Sequence, residues 1–262
     1  SIENLNNIIH NKHILKFMDC DKNIYSYYQG SINSENEFHG NGKIFNRVAH
    51  ENRLEKSLSV FKLNLEKPIS RVFDEVEDLL VKNDVSKGGF ARLMLYRDAQ
   101  GGYTPSNNKS AYLIECGKCN NNQFELQEKP IKTVFFTEHK KPSSKLSNIK
   151  SNNVLLYVLA SIYAKEKRAD DAILLNEKGN IIESTNANLF VVKEGKLYTP
   201  PLDDGPLDGT LRSLILQCFE VEVRSISIAD YEVADEVFLT NAHGIRFVKE
   251  GLKVREVVHD LV

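Results

Sequence analysis

The chain has 262 residues, with 34 Lys and Arg against 36 Asp and Glu for a formal net charge of −2, and 41% of its residues are hydrophobic. This balance excludes a basic nucleic-acid groove and a disordered chain, and the length allows one large domain or two modest ones. No apolar run approaches the roughly 20 residues that span a bilayer, and Ser1-Ile2-Glu3-Asn4-Leu5 is no basic-then-apolar signal, so a cytoplasmic protein with no membrane or nucleic-acid partner is expected.

The first fifty residues carry strand-like fragments, Ile8-Ile9, His13-Ile14-Leu15 and the cluster Tyr25, Tyr27, Tyr28, punctuated by Gly30 and Gly40-Asn41-Gly42. Lys43-Ile44-Phe45 reads as a short strand and His50-Glu51-Asn52-Arg53-Leu54 as the start of a helix. Ile69, Val72, Phe73, Val76 and Leu79-Leu80 recur at i, i+3, i+4, which predicts a helix that buries this stripe and turns its acidic residues to water. Two strands, Ala91 to Arg97 and Ala111 to Glu115, flank the Gln100-Gly101-Gly102-Tyr103 turn. Alternation puts Arg92, Met94 and Tyr96 on one face of the first.

Cys116-Gly117-Lys118-Cys119 is a lone C-x-x-C with no second close pair and no helix opening behind it. It reads as reduced structural thiols, not a metal site. The polar shift at Cys119-Asn120-Asn121-Asn122-Gln123 marks a domain boundary, giving domains 1–121 and 122–262. Lys140, Lys141 and Lys145 lie in a polar run and read as solvated. Lys150 stands instead at the mouth of a long helix with apolar Val154, Leu155, Val158, Leu159 and Ile162.

A strand at Ala172 to Asn176 and a turn at Glu177-Lys178-Gly179 lead into Ile182 to Val192, two strands joined by a tight polar turn, with Glu183 closing the first. Lys193-Glu194-Gly195-Lys196 is a hairpin turn. A loop rich in Pro, Asp and Gly then stops at Gly209-Thr210-Leu211-Arg212, with Asp208 placed to cap the helix that follows. The N–H groups of Gly209, Thr210 and Leu211 would point out of that helix start and favour an anion, commonly a phosphate. Near the C-terminus a helix bearing Asp235 and Glu236 gives way to a strand at Val237-Phe238-Leu239 and a polar turn at Thr240-Asn241-Ala242-His243.

Glu183-Ser184-Thr185-Asn186-Ala187-Asn188-Leu189-Phe190, Leu197-Tyr198-Thr199-Pro200 and Leu207-Asp208-Gly209-Thr210-Leu211-Arg212 together resemble the signature of the class IV aminotransferases. These are the fold type IV pyridoxal-phosphate enzymes, which include branched-chain and D-amino-acid aminotransferases and aminodeoxychorismate lyase. The resemblance runs from about Arg53 to the C-terminus. It implies a two-domain α/β (α+β) protein, a small N-terminal α/β sandwich and a larger C-terminal α/β pseudo-barrel, with pyridoxal 5'-phosphate as cofactor, a small-molecule substrate, and a homodimer whose active site lies close to the subunit interface.

The resemblance also implies roles. Lys150, in Ile149-Lys150-Ser151-Asn152-Asn153, matches the Schiff-base lysine, which burial would keep neutral part of the time. Glu183 would hold the pyridine nitrogen protonated. Arg53, in a His-x-x-Arg-Leu block, would reach the phosphate with Thr210, Leu211 and Thr240. Asn241, Arg92 and Tyr28 would border the substrate, Arg92 equally as a strand-end salt bridge. Thr240-Asn241-Ala242 and the short chain lean toward aminodeoxychorismate lyase, with branched-chain or other amino-acid transamination as the alternative and a non-catalytic relic of the fold as a remote one. Tyr27-Tyr28-Gln29-Gly30 departs from the family's aromatic-Gly-Asp-Gly stretch and leaves the substrate wall open.

Overall fold

The computed structural model describes residues 24–32, 43–85, 89–101, 103–117, 125–126 and 129–249, together with 251, 255, 257, 260 and 261. Among them are two sheets. The first is antiparallel, in the order β1 (Ile24–Ile32), β2 (Gly89–Arg97), β3 (Ser110–Gly117). Helices α1 (Arg47–Phe61) and α2 (Ile69–Lys82) accompany it.

Ala91, Leu93 and Leu95 on one face of β2 pack with Leu54 of α1 and Val72, Phe73, Val76 and Leu80 of α2. The α2 stripe thus lies where its period predicts. Glu77 departs from the predicted solvated acidic face. It falls four residues after Phe73, inside the buried stripe, and its carboxylate meets Lys43, Arg47 and the Ile44 N–H. The predicted strand at Lys43-Ile44-Phe45 does not form. Asn46 adopts a left-handed backbone with φ 51°, and α1 starts at Arg47, three residues before His50.

The second sheet runs β4 (Glu125–Leu126), β12 (Gly244–Lys249), β11 (Glu236–Asn241), β8 (Asn188–Lys193), β7 (Ile181–Ser184), β6 (Asp171–Asn176), β5 (Thr133–Lys141). From it, β9 (Lys196–Thr199) pairs with β8 and carries β10 (Val221–Val223). The chain passes from one sheet to the other between β3 and β4, and the predicted 121/122 boundary and Cys119 lie in 118–124, outside the described residues. The strand fragments before residue 24, Cys20, and the turn at 40–42 also lie outside them.

Both faces of the second sheet are covered, so its strands read as nearly unbroken apolar runs. Leu189 and Val191 of β8 pack on one side with Ile173, Leu175, Val237 and Leu239. Phe190 and Val192 pack on the other with Leu211 and Ile215 of α4 (Thr210–Cys218) and with Phe238 and Phe247. Helix α3 (Leu155–Glu166) covers Phe136, Leu174 and Ile182 through Ala160 and Ala164. The β8–β9 turn has Glu194 at φ 52° and Gly195 at φ 72°, the two positive values that a tight right-twisted hairpin requires. The short α5 (Ile228–Glu232) ends before Asp235, and Glu236 already belongs to β11, so the predicted helix end lies several residues too late. Among the described residues no helix is long and apolar enough to cross a membrane.

Candidate active site

Two irregularities in the second sheet position side chains on a cavity beside it. In the β6–β7 pair, Leu174 faces Glu183 while Leu175 faces Ile181, so Ile182 is one extra residue. Such a bulge re-aims the side chain that follows it. Strict alternation would group Glu183 with Ile181; the bulge instead aligns it with Leu174, whose neighbours are on α3. In the β5–β6 pair, Phe136 faces Leu174 but Lys141 faces Asn176. The intervening stretch 137–140 is exposed and leaves the ladder, and Lys141 returns buried. The reading of Lys141 as solvated is therefore corrected.

Glu183 and Lys141 form a buried ion pair at 2.6 Å, their side chains 3% and 7% exposed. Glu183 Oε1 also accepts from the Tyr157 hydroxyl at 2.9 Å, and Oε2 from the Leu207 N–H at 2.8 Å. Burial, then the charge of Glu183 and this hydrogen bond, push the Tyr157 phenol upward, so it stays a donor. Lys141 also donates to the Ser147 carbonyl at 3.0 Å. Neither Lys141 nor Tyr157 stands out in the sequence: one sits in a polar lysine run and the other on a helix seven residues beyond Lys150.

Lys150, Glu183, Arg53, Thr210, Leu211, Thr240 and Asn241 all line a cavity of about 1210 Å³. Lys150 follows a single 3₁₀ turn, Lys145–Asn148. Asn148 pins that segment to the loop before α4 by donating to the carbonyls of Leu202 and Pro206 at 2.9 and 2.7 Å. The Lys150 amine is lowered to about 8, first by burial and then by the charge of Arg53, with Glu183 opposing and Arg92 adding to the effect. At pH 7.5 about one such amine in four is neutral, against roughly one in a thousand for an ordinary lysine. That is the form a nucleophilic amine must take.

At the opposite side, α4 starts at Thr210 with Gly209 as its N-cap and no side-chain cap. The predicted capping residue, Asp208, instead pairs with Lys56 of α1 at 2.8 Å. A Cβ at Gly209 would overlap Asn188 Oδ1, so glycine lets the helix start approach β8. Arg53 projects from α1, buried, beside the α4 start that α1 packs against. The Thr240 hydroxyl is fully buried and, among the described residues, has no hydrogen-bond partner; the Ser184 hydroxyl shares that condition. A helix N-terminus, a guanidinium and an unsatisfied hydroxyl facing one cavity suit a phosphate.

The remaining predicted residues fall less simply. Asn241 has both polar ends engaged: Nδ2 donates to the Asn186 carbonyl at 3.2 Å and Oδ1 accepts from the His243 N–H at 2.9 Å. Arg92 pairs with Glu115 across β2–β3 at 2.9 Å. The Tyr28 backbone pairs with Leu93, and its side chain lies outside the description. His50 is buried and lowered to about 3 by desolvation and by Arg53, which keeps it a neutral structural residue. His243, on the rim, is lowered by burial and by the charges of Lys150 and Arg92.

The family model described as amino-transferase class IV matches residues 37–250. A branched-chain-amino-acid aminotransferase-like protein of Arabidopsis thaliana is 27% identical over 210 residues, 78% of this chain and 38% of that protein. The chain thus spans well under half the length of that relative. The aminodeoxychorismate lyase of Vibrio harveyi is 35% identical over 102 residues, 37% of this chain and 38% of the lyase. Among solved structures, the branched-chain amino acid aminotransferase of Thermobaculum terrenum in its PLP-form superposes with a TM-score of 0.78 at 20% identity, covering 91% of this chain and 83% of that one.

Proposed function

We propose, from the premise that the chain belongs to the class IV aminotransferase family of pyridoxal-phosphate enzymes, that Lys150 carries the cofactor and that the cavity converts an amino-acid-like small molecule. The observation that carries this reading is the lowered Lys150 amine on the same cavity as the Glu183 carboxylate and the α4 start. When bound, pyridoxal phosphate supplies an electron-withdrawing ring that stabilises negative charge at the substrate Cα. Glu183 would hold the ring-nitrogen proton; Arg53, the N–H groups of Thr210 and Leu211, and Thr240 would hold the phosphate. Lys150, released when substrate replaces it, would carry the proton to and from Cα.

Within the family, 4-amino-4-deoxychorismate lyase activity, giving 4-aminobenzoate and pyruvate, is the leading reading. It is supported by Thr240-Asn241-Ala242 and by the Vibrio harveyi relative. Branched-chain transamination is the second reading, favoured by the tethering of both ends of Asn241, which turns that side chain from a substrate contact toward a wall brace. A paired assay separates them: pyruvate and 4-aminobenzoate from aminodeoxychorismate in one tube, glutamate from 2-oxoglutarate plus mixed amino acids in the other. Lyase product alone sustains the first reading, glutamate alone the second, and neither product refutes both.

The same reading extends to a homodimer. The predicted α3 stripe does not face the core: Leu155, Val158, Leu159 and Ile162 are exposed, while Ala160 and Ala164 are buried. Val158 and Ile162 also line the cavity mouth. A second copy on this face would remove a contiguous apolar patch from water and close the site, as interaction patches of this kind do.

A further inference from the structure

Strands β6 and β12 are not neighbours; the path β12-β11-β8-β7-β6 separates them by four steps. Laid flat, that is roughly 19 Å at about 4.8 Å per step. Yet Arg246 Nη2 of β12 lies 2.8 Å from Asp171 Oδ2 of β6. The sheet is therefore rolled, and this ion pair spans the roll. Asp171 is 1% exposed, and its other oxygen accepts from the N–H of Ala172 at 2.8 Å, the N–H of Thr185 at 3.2 Å and the Thr185 hydroxyl at 2.6 Å. Arg246 Nη2 also donates to Asn186 Oδ1 at 2.6 Å.

These bonds converge on one wall of the active-site cavity. Thr185, Asn186 and Ala187 form the turn between β7 and β8, and Ala242 and His243 the turn between β11 and β12; both turns line the cavity. Asn241 ties the second turn to the Asn186 carbonyl. Behind Thr185 is a second cavity of about 460 Å³, bordered by Asp171, Lys165 and Arg168. Ala187 packs into the core with Leu189 and Leu239, but where Thr185 borders that second cavity van der Waals contact has no partner atoms. The position of the Thr185-Asn186 side of the wall therefore depends on the hydrogen bonds that tether it.

We propose that Asp171 and Arg246 are positioning residues that set the width of the cavity's substrate side, acting through Thr185, Asn186 and Asn241. The proposal rests on the reading that the cavity binds substrate next to the cofactor. Release of the tether lets the wall retreat into the space behind it. Substrate affinity then falls, while Lys150, Glu183 and the α4 start keep their geometry.

The test uses the holoenzyme and three variants. Asn186→Ala removes one tether without leaving a buried charge; Arg246→Met removes both arms; Arg246→Lys keeps the charge and is the rescue. Asn186→Ala should raise KM about 3- to 10-fold, the value of one hydrogen bond, with kcat, pyridoxal-phosphate affinity and melting temperature within twofold to a few degrees of the parent, as loss of uniform binding requires. Arg246→Met should raise KM further and Arg246→Lys should recover part of the loss. In the apoprotein, amide exchange at 185–187 and 242–243 should quicken in the same order while β8 and β11 hold their protection. Unchanged KM and exchange in Asn186→Ala overturn the proposal. So does a joint fall of kcat, cofactor affinity and melting temperature in Arg246→Lys, the mark of a plain fold brace. If the parent enzyme turns over neither substrate, the functional reading fails, and the exchange measurement still decides whether the tether holds the wall.

Discussion

Glu183→Gln should cost the apoprotein stability as well as activity, because the carboxylate does two jobs. In the parent it neutralises Lys141 at 2.6 Å with both side chains almost wholly buried, and it accepts from Tyr157 and the Leu207 N–H. A glutamine in the same place offers one oxygen for three donors and turns its own N–H₂ toward one of them. Lys141 is then a buried ammonium without a countercharge, and breaking such a pair costs about 3–5 kcal/mol. At roughly 2 °C per kcal/mol for a chain of this size, the melting temperature should fall by roughly 6–10 °C. Lys141→Met in the Glu183→Gln background removes the stranded charge and should return about half or more of the loss, a coupling of about 2 kcal/mol or more. Urea unfolding of parent, both single variants and the double variant, all as apoprotein, measures the cycle. If Glu183→Gln unfolds within about 1 kcal/mol of the parent, or if Lys141→Met adds to its loss, the ion pair does not hold the site and the account of Glu183 is wrong. If Glu183 holds the ring-nitrogen proton as proposed, reconstituted Glu183→Gln should also turn over about 10²-fold or more slowly.

Lys150→Ala should end turnover and leave no cofactor fixed by borohydride, read by mass spectrometry of the peptide around residue 150; label retained elsewhere would move the attachment to another lysine. The Lys150 amine, near 8 in the folded chain against 10.5 for an ordinary lysine, sheds its proton early, so between pH 8 and 10.5 the unfolded chain binds more protons and stability rises with pH. Lys150→Ala should flatten that rise, and an unchanged slope would mean the amine is not depressed. Losing Arg53 as Arg53→Gln should weaken pyridoxal-phosphate binding by about 1.5–3 kcal/mol, as for a charge-assisted bond, with less change in saturated kcat. Thr210→Pro removes one proposed phosphate donor at a position where a helix tolerates proline; wild-type affinity in a titration of that apoprotein would take Thr210 out of the proposed phosphate site. If the proposed homodimer is built on α3, the parent should sediment as a dimer and Leu155→Glu as a monomer; a monomeric parent would refute the dimer, and an unshifted dimer would move the interface off α3.

The sequence by itself determined the elements whose periods are strong and whose turns have their own chemistry. The α2 stripe, the β8–β9 hairpin with Glu194-Gly195, and the helix start at Gly209-Thr210, one residue later than Asp208 as cap would place it, are local, since spacing and backbone freedom at a few residues decide them. The blocks around Arg53, Lys150, Glu183 and Thr210 also identified the family before any contact was known. What local pattern could not reach depends on residues far apart in the chain. Glu183 faces α3 because Ile182 is a bulge, and a bulge is a property of two strands. Lys141 is buried because β5 leaves its ladder at 137–140 and comes back, so two adjacent lysines of identical chemistry end in opposite environments. Glu77 belongs to the stripe it seems to interrupt because Arg47 and Lys43 arrive to neutralise it. Asp171 and Arg246, 75 positions apart, meet only when the sheet rolls. In each case a buried charge is tolerated where a partner from another element pays its desolvation, and the sequence shows the charge without the partner.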